Sequence, residues 1–136
     1  MPTSLTATES ILASIKKLLG IEDSYQAFDT DVIFGINSAL MALHQIGVGP
    51  EDGLSITDRE TAWSALLTNT KKIESAKSYI HLKVKLLFDP PTSSAVIEAM
   101  KEEIKESAWR LMVQTEIPIV DPVVEEEVVL GDFAEG

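Results

Sequence analysis

The sequence predicts an all-α fold: a small helical bundle built on a long helical hairpin, trailed by an extended C-terminal arm suited to forming a β-strand. Three observations carry this. Apolar residues recur at helical spacing through most of the chain. Between Tyr79 and Met100 one such pattern stops and another starts within a few residues, at Asp89-Pro90-Pro91. After Thr115 the helical pattern gives way to prolines, β-branched residues and acids. With 136 residues, 45% hydrophobic content and no cysteine, the chain suits one domain that buries its core without crosslinks. We divide it into a helical domain, 1–115, and an arm, 116–136.

The elements follow in order. Thr6-Ala7-Thr8-Glu9 has the form of a capping box, and Ile11, Leu12, Ile15, Leu18 and Leu19 follow at helical spacing, so a first helix is expected over about 7–19. Lys16 and Lys17 suit its negative end, and Gly20 is placed to close it. Asp29-Thr30-Asp31 marks the start of a second helix with Ile33, Ile36, Leu40 and Leu43 on its stripe, ended by Gly47. Three glycines and Pro50 make residues 47–53 a loop, and Leu54-Ser55-Ile56 reads as briefly extended. Thr57-Asp58-Arg59-Glu60 resembles a second capping box, opening a short helix whose Trp63 is expected to plug one end of the bundle.

The hairpin occupies the rest of the domain. Its first arm starts near Thr70 with Ile73, Ala76, Ile80, Val84 and Leu87 inward. Pro90 and Pro91 lack amide donors and restrict the residues before them, so this helix should end by Phe88 or Asp89. Thr92, Ser93 and Ser94 can cap the second arm, expected over about 93–114 with Val96, Ile97, Met100, Ile104, Ala108 and Leu111 inward. Beyond it, Pro118 and Pro122 forbid helix, and Val123, Val124, Val128, Val129 and Leu130 flank Glu125-Glu126-Glu127. This arm reads as a strand seeking a partner chain, with those five apolar residues as its binding positions. A disordered acidic tail is the competing reading of the same composition.

Charge and residue inventory exclude several functions. The net charge is −11, of which the arm contributes −7, and the remaining 115 residues hold 15 acids against 11 bases. No segment offers the basic surface that tight nucleic-acid binding by counterion release requires. No run approaches the roughly 18 apolar residues of a membrane span, and the start lacks a basic, apolar leader, so a soluble chain made in the cytoplasm is expected. His44 and His81 stand alone within helices, outside any metal-binding spacing. Asp29, Asp31 and Asp58 are accounted for by helix capping, and no phosphate-binding glycine pattern occurs. We therefore expect no enzyme, no cofactor and no metal. Trp63 and Tyr79 read as core residues, while Trp109 stands between core and surface.

Three stretches together resemble the head-tail connector, or adaptor, proteins of long-tailed bacteriophages. They are Ile11 to Gly20, Phe28-Asp29-Thr30-Asp31-Val32-Ile33 through Gln45-Ile46-Gly47-Val48-Gly49-Pro50, and, most specifically, Tyr79 through Phe88-Asp89-Pro90-Pro91 to Ala95. The likeness spans roughly 8–115. It implies a helical virion protein at the neck, assembled as a twelve-fold ring of copies below the portal protein, with a tail-side completion or stopper protein docked beneath. The genome would pass through without specific binding, and no catalytic residue carries over. A small acidic helical module that binds or regulates another protein is the alternative.

Overall fold

In the computed structural model, which describes residues 7–116, four α-helices appear: α1 (Ile11–Leu18), α2 (Asp29–Gln45), α3 (Thr70–Phe88) and α4 (Ser94–Glu116). A single 3-10 turn covers Trp63–Ala65. Among the described residues no strand forms; the fold is all-α, as the apolar stripes predict. The arm expected as a strand, with its positions 123, 124 and 128–130, lies outside the described residues.

Helix α3 is the centre of the bundle. Both α2 and α4 pack on it, and α1 packs on α2 and α3. Ile73, Ala76, Ile80 and Val84 of α3 meet Ile36, Ala39, Leu40 and Leu43 of α2 and Ile11 and Ile15 of α1 in one core, all buried. Full burial of each large aliphatic side chain is worth about 1.5–3 kcal/mol. Close approach of α2 to α3 depends on Gly35, where an added Cβ would stand 3.3 Å from a Val84 methyl. Trp63 is fully buried against the same core, and its indole N–H donates to the Ser14 hydroxyl at 3.0 Å, so it plugs the bundle as the sequence suggested.

The first helix is shorter than the expected 7–19. The chain is helical at Ala7 and Thr8, breaks at Glu9, and α1 starts at Ile11 with Ser10 as its cap, whose hydroxyl accepts from the Ala13 amide. Long-range pairing causes the break: Ser10 bridges Ala62, the Ile11 amide donates to Thr61 and the Trp63 amide donates to Glu9. Glu9 consequently leaves its expected capping place, and its carboxylate lies 3.6 Å from Lys77.

The second capping box also gives way. Asp58 accepts from the Glu60 amide in a tight turn at 2.8 Å, and the short helix expected around Trp63 is a 3-10 turn, Trp63–Ala65. Nor does Asp29 cap α2, whose N-cap is Phe28 without a side-chain bond; Asp29 pairs with Lys16 instead. Residues 54–56 are extended with no neighbouring strand. Asn37 supplies the missing edge, its amide donating to the Ile56 carbonyl at 2.9 Å and its carbonyl accepting from the Ile56 amide at 2.8 Å.

Helix α3 starts at Thr70, where the Asn69 side chain caps it, and ends at Phe88. Residues 89–93 connect it to α4, and the Ser93 hydroxyl accepts from the Val96 amide. Leu18, on the stripe of α1, is 46% exposed, and two assignments on the hairpin also fail. Leu87 is 63% exposed and Val96 47% exposed, because α2 and α4 flank α3 without closing over this end of the hairpin. On α4 only Ser107 and Leu111 are fully buried among the described residues.

Candidate interaction surfaces

The histidines and several of the aspartates can be placed one by one. No group of three His, Asp or Glu is arranged to hold a metal ion. Imidazole Nε2 of His44 lies 2.9 Å from the Glu51 carbonyl and ties the glycine-rich loop to α2. His81 is half-buried on α3; burial and the nearby Lys85 charge push its pKa below the usual histidine value, opposed by the Leu18 carbonyl. Asp23 is held below the ordinary carboxylate range by its two-pronged bond to Arg59, at 2.8 and 2.7 Å. His44, Asp23, Asp29 and Asp58 thus each make a local structural contact.

What the fold exposes is apolar surface in two places. The first lies where the hairpin turns. Tyr25 and Phe28, 50% and 40% exposed, stack edge-to-face at 5.5 Å, and Phe28 meets Phe88 at 5.2 Å. Phe88 is the last residue of α3, so this aromatic row adjoins Asp89, Pro90 and Pro91, and Asp89 is tied back by Lys85 at 3.5 Å. Aromatic side chains of this kind suit a protein interface.

Lys16 is the residue that builds this patch. Its side chain is 2% exposed, and its ammonium donates to the carbonyls of Asp23 at 3.0 Å and Tyr25 at 2.7 Å while pairing with the Asp29 carboxylate at 2.7 Å. A buried cation is stable only when paired and hydrogen-bonded, so the loop carrying Tyr25 and Phe28 is pinned to α1. The sequence marks Lys16 only as a cation suited to the negative end of the helix. The missed signal was its position four residues after Leu12, on the apolar side of α1.

The second surface is an open groove of about 550 Å³ between α2 and α4, floored by α3. Leu86, Leu87 and Ile104 make it apolar, while Lys83, Lys101 and Lys105 rim it. Phe34 and Met41, 71% and 64% exposed, share the face of α2 that carries its Ser38. Trp109, balanced between core and surface in the sequence, is 60% exposed on α4. Tyr79 is buried as expected, its hydroxyl pKa raised by that burial.

A helical body with two open apolar faces is suited to protein contact. Residues 11–118 match the family described as phage connector protein, and the chain belongs to that family. The resemblance to head-tail connectors drawn from the three sequence stretches therefore holds, and the role is structural. No curated protein and no solved structure matches the chain. No helix among the described residues is long and apolar enough to cross a membrane.

Proposed function

We propose that the chain is the adaptor subunit of the phage neck, assembled as a twelve-fold ring below the portal protein, joining the capsid to the tail and giving the genome a passive conduit. Its membership of the connector family over residues 11–118 carries this reading. Two physical features support it. A net charge of −11 repels phosphate, so DNA sliding past meets little adhesion. A closed ring needs two unlike faces on each subunit, and the aromatic row at the hairpin turn and the groove between α2 and α4 are two such faces. The portal protein binds on the head side, neighbouring copies bind laterally, and a tail-side completion or stopper protein binds below.

The arm, 116–136, attaches the ring to the head. Val123, Val124, Val128, Val129 and Leu130 add as a strand to a sheet edge. That edge belongs to the portal or to an adjacent subunit. Self-repulsion keeps the free chain monomeric, and it forms a ring only on its portal.

Particles assembled without this protein test the reading. Filled heads lacking tails are the expected image; complete, infectious virions would refute it. Chains truncated after Thr115 should fold and fail to stay on heads. Mass photometry of the pure protein with its portal separates a ring from a small regulatory module, which would bind without closing a ring.

A further inference from the structure

The groove between α2 and α4 and the C-terminal arm are complementary in chemistry. In a chain of net charge −11, the groove rim holds Lys83, Lys101 and Lys105 over an apolar floor of Leu86, Leu87 and Ile104. The arm reads Val123-Val124-Glu125-Glu126-Glu127-Val128-Val129-Leu130, three acids between apolar pairs and triplets. The rim lysines are available for exchange. Lys101 and Lys105 are 58% and 74% exposed and reach only Glu98 and Glu102, at 3.8 and 3.6 Å. Exposed pairs at that spacing contribute little, so arm carboxylates can replace these neighbours. Lys83 lies over the Tyr79 ring at 5.6 Å.

The lengths also agree. At ~1.5 Å per residue, α4 runs about 16 Å from Lys105 and about 22 Å from Lys101 to its end at Glu116. A reversal of direction uses about three residues, Glu116 to Pro118; run back in extended form from Ile119 at ~3.3 Å per residue, Val124 and Glu125 would lie about 17–20 Å back, level with Ile104 and Lys101, and Val128 to Leu130 about 30–36 Å back, toward the hairpin turn beside Leu86 and Leu87. Pro118 and Pro122 favour such an extended return. In an extended segment Val124, Glu126, Val128 and Leu130 share one face, combining apolar contact with a carboxylate.

We propose that in the isolated chain the segment 123–130 docks in its own groove between α2 and α4, apolar residues on Leu86, Leu87 and Ile104 and glutamates on the rim lysines. The contact covers the arm's valines before assembly and occupies a face that a partner later needs. It is a property of the free chain, so its failure would leave the connector reading standing.

The test uses the full chain, which has no cysteine. A nitroxide is attached at Gly131→Cys, and amide relaxation is read in the 15N-labelled protein. Docking broadens the amides of Ser38, Leu87 and Lys105 in the tagged chain and spares them when untagged 15N chain is mixed with tagged unlabelled chain. Charge reversal by Lys101→Glu and Lys105→Glu should reduce the broadening several-fold, and adding Glu125→Lys, Glu126→Lys and Glu127→Lys should restore it. Both lysines are exposed, and unchanged amide shifts elsewhere would show that the fold is kept. Absence of broadening at the groove overturns the proposal. Equal broadening in the mixed sample also overturns it, because the arm would then come from a second copy. Broadening indifferent to charge reversal refutes the lysine contacts and the proposal with them.

Discussion

Replacing Lys16 by Met probes how the bundle holds its surface loop. The substitution keeps the apolar stem within α1 and removes only the ammonium, leaving the carbonyls of Asp23 and Tyr25 without their donor and Asp29 without its cation. Hydrogen bonds to charged donors contribute about 1.5–3 kcal/mol each, and breaking a buried ion pair from one side costs about 3–5 kcal/mol. These values overlap and do not add. Asp29 is 27% exposed and regains water when the cation goes, so the lower end applies, about 3 kcal/mol. For a domain of this size that is a fall in Tm of about 12 °C. Urea unfolding followed by far-UV circular dichroism measures it. Asp29→Asn, which keeps both carbonyl contacts of Lys16, should lose about 1 kcal/mol. A loss below about 1 kcal/mol for Lys16→Met, or equal losses for the two variants, would refute the claim that this ammonium pins the loop.

Other expectations follow from single contacts. Asn37→Ala strips both partners from the Ile56 backbone and should destabilise by about 2 kcal/mol in the same urea assay. Pro90→Ala with Pro91→Ala should speed amide exchange around the connection between α3 and α4 while leaving exchange in α2 unchanged; unchanged rates throughout would refute a role in fixing the turn. Burial lowers the pKa of His81 in the folded chain, so the unfolded chain takes up the proton first as pH falls. Its contribution is complete above about pH 6.5 and declines as pH falls below that toward the folded pKa. The denaturation midpoint of His81→Gln should therefore fall less over this window than that of the unaltered chain.

Periodicity revealed the helices because a helix records its buried face locally: Ile73, Ala76, Ile80 and Val84 stand on one side whatever packs there. It could not say whether a partner covers that side along its whole length, which is why Leu87 and Val96 were assigned inward and are exposed. The capping boxes failed for a related reason. Thr6-to-Glu9 and Thr57-to-Glu60 are sound local signals, but Glu9, Ser10, Thr61, Ala62 and Trp63 meet across the fold, and that backbone pairing is incompatible with helix running through Glu9 and Ser10 or through Thr61 and Ala62. Asn37 and Lys16 were invisible as functional positions because each acts on backbone carbonyls, and no side-chain pattern records a carbonyl. The connector resemblance was legible because the Tyr79-to-Ala95 stretch combines an apolar stripe, a double proline and capping hydroxyls in a fixed order.

The distribution of exposure argues that the bundle is unfinished as a single chain. Phe34, Met41, Leu87 and Trp109 are each at least 60% exposed. Isolated exposed apolar residues need no explanation, but Leu87 lines the groove, Phe34 and Met41 share the face of α2 that carries its Ser38, and α4 buries only Ser107 and Leu111 fully among its described positions. This 23-residue helix packs along α3 through Ile104, Ala108 and Leu111 and leaves much of its remaining surface exposed. Its first half is held by the five-residue turn beside Phe88, and that turn is braced by the aromatic row that Lys16 positions. The chain thus spends its burial on fixing where the hairpin points and leaves the hairpin's own sides open. Open apolar faces of this kind suit contact with a further segment or another chain.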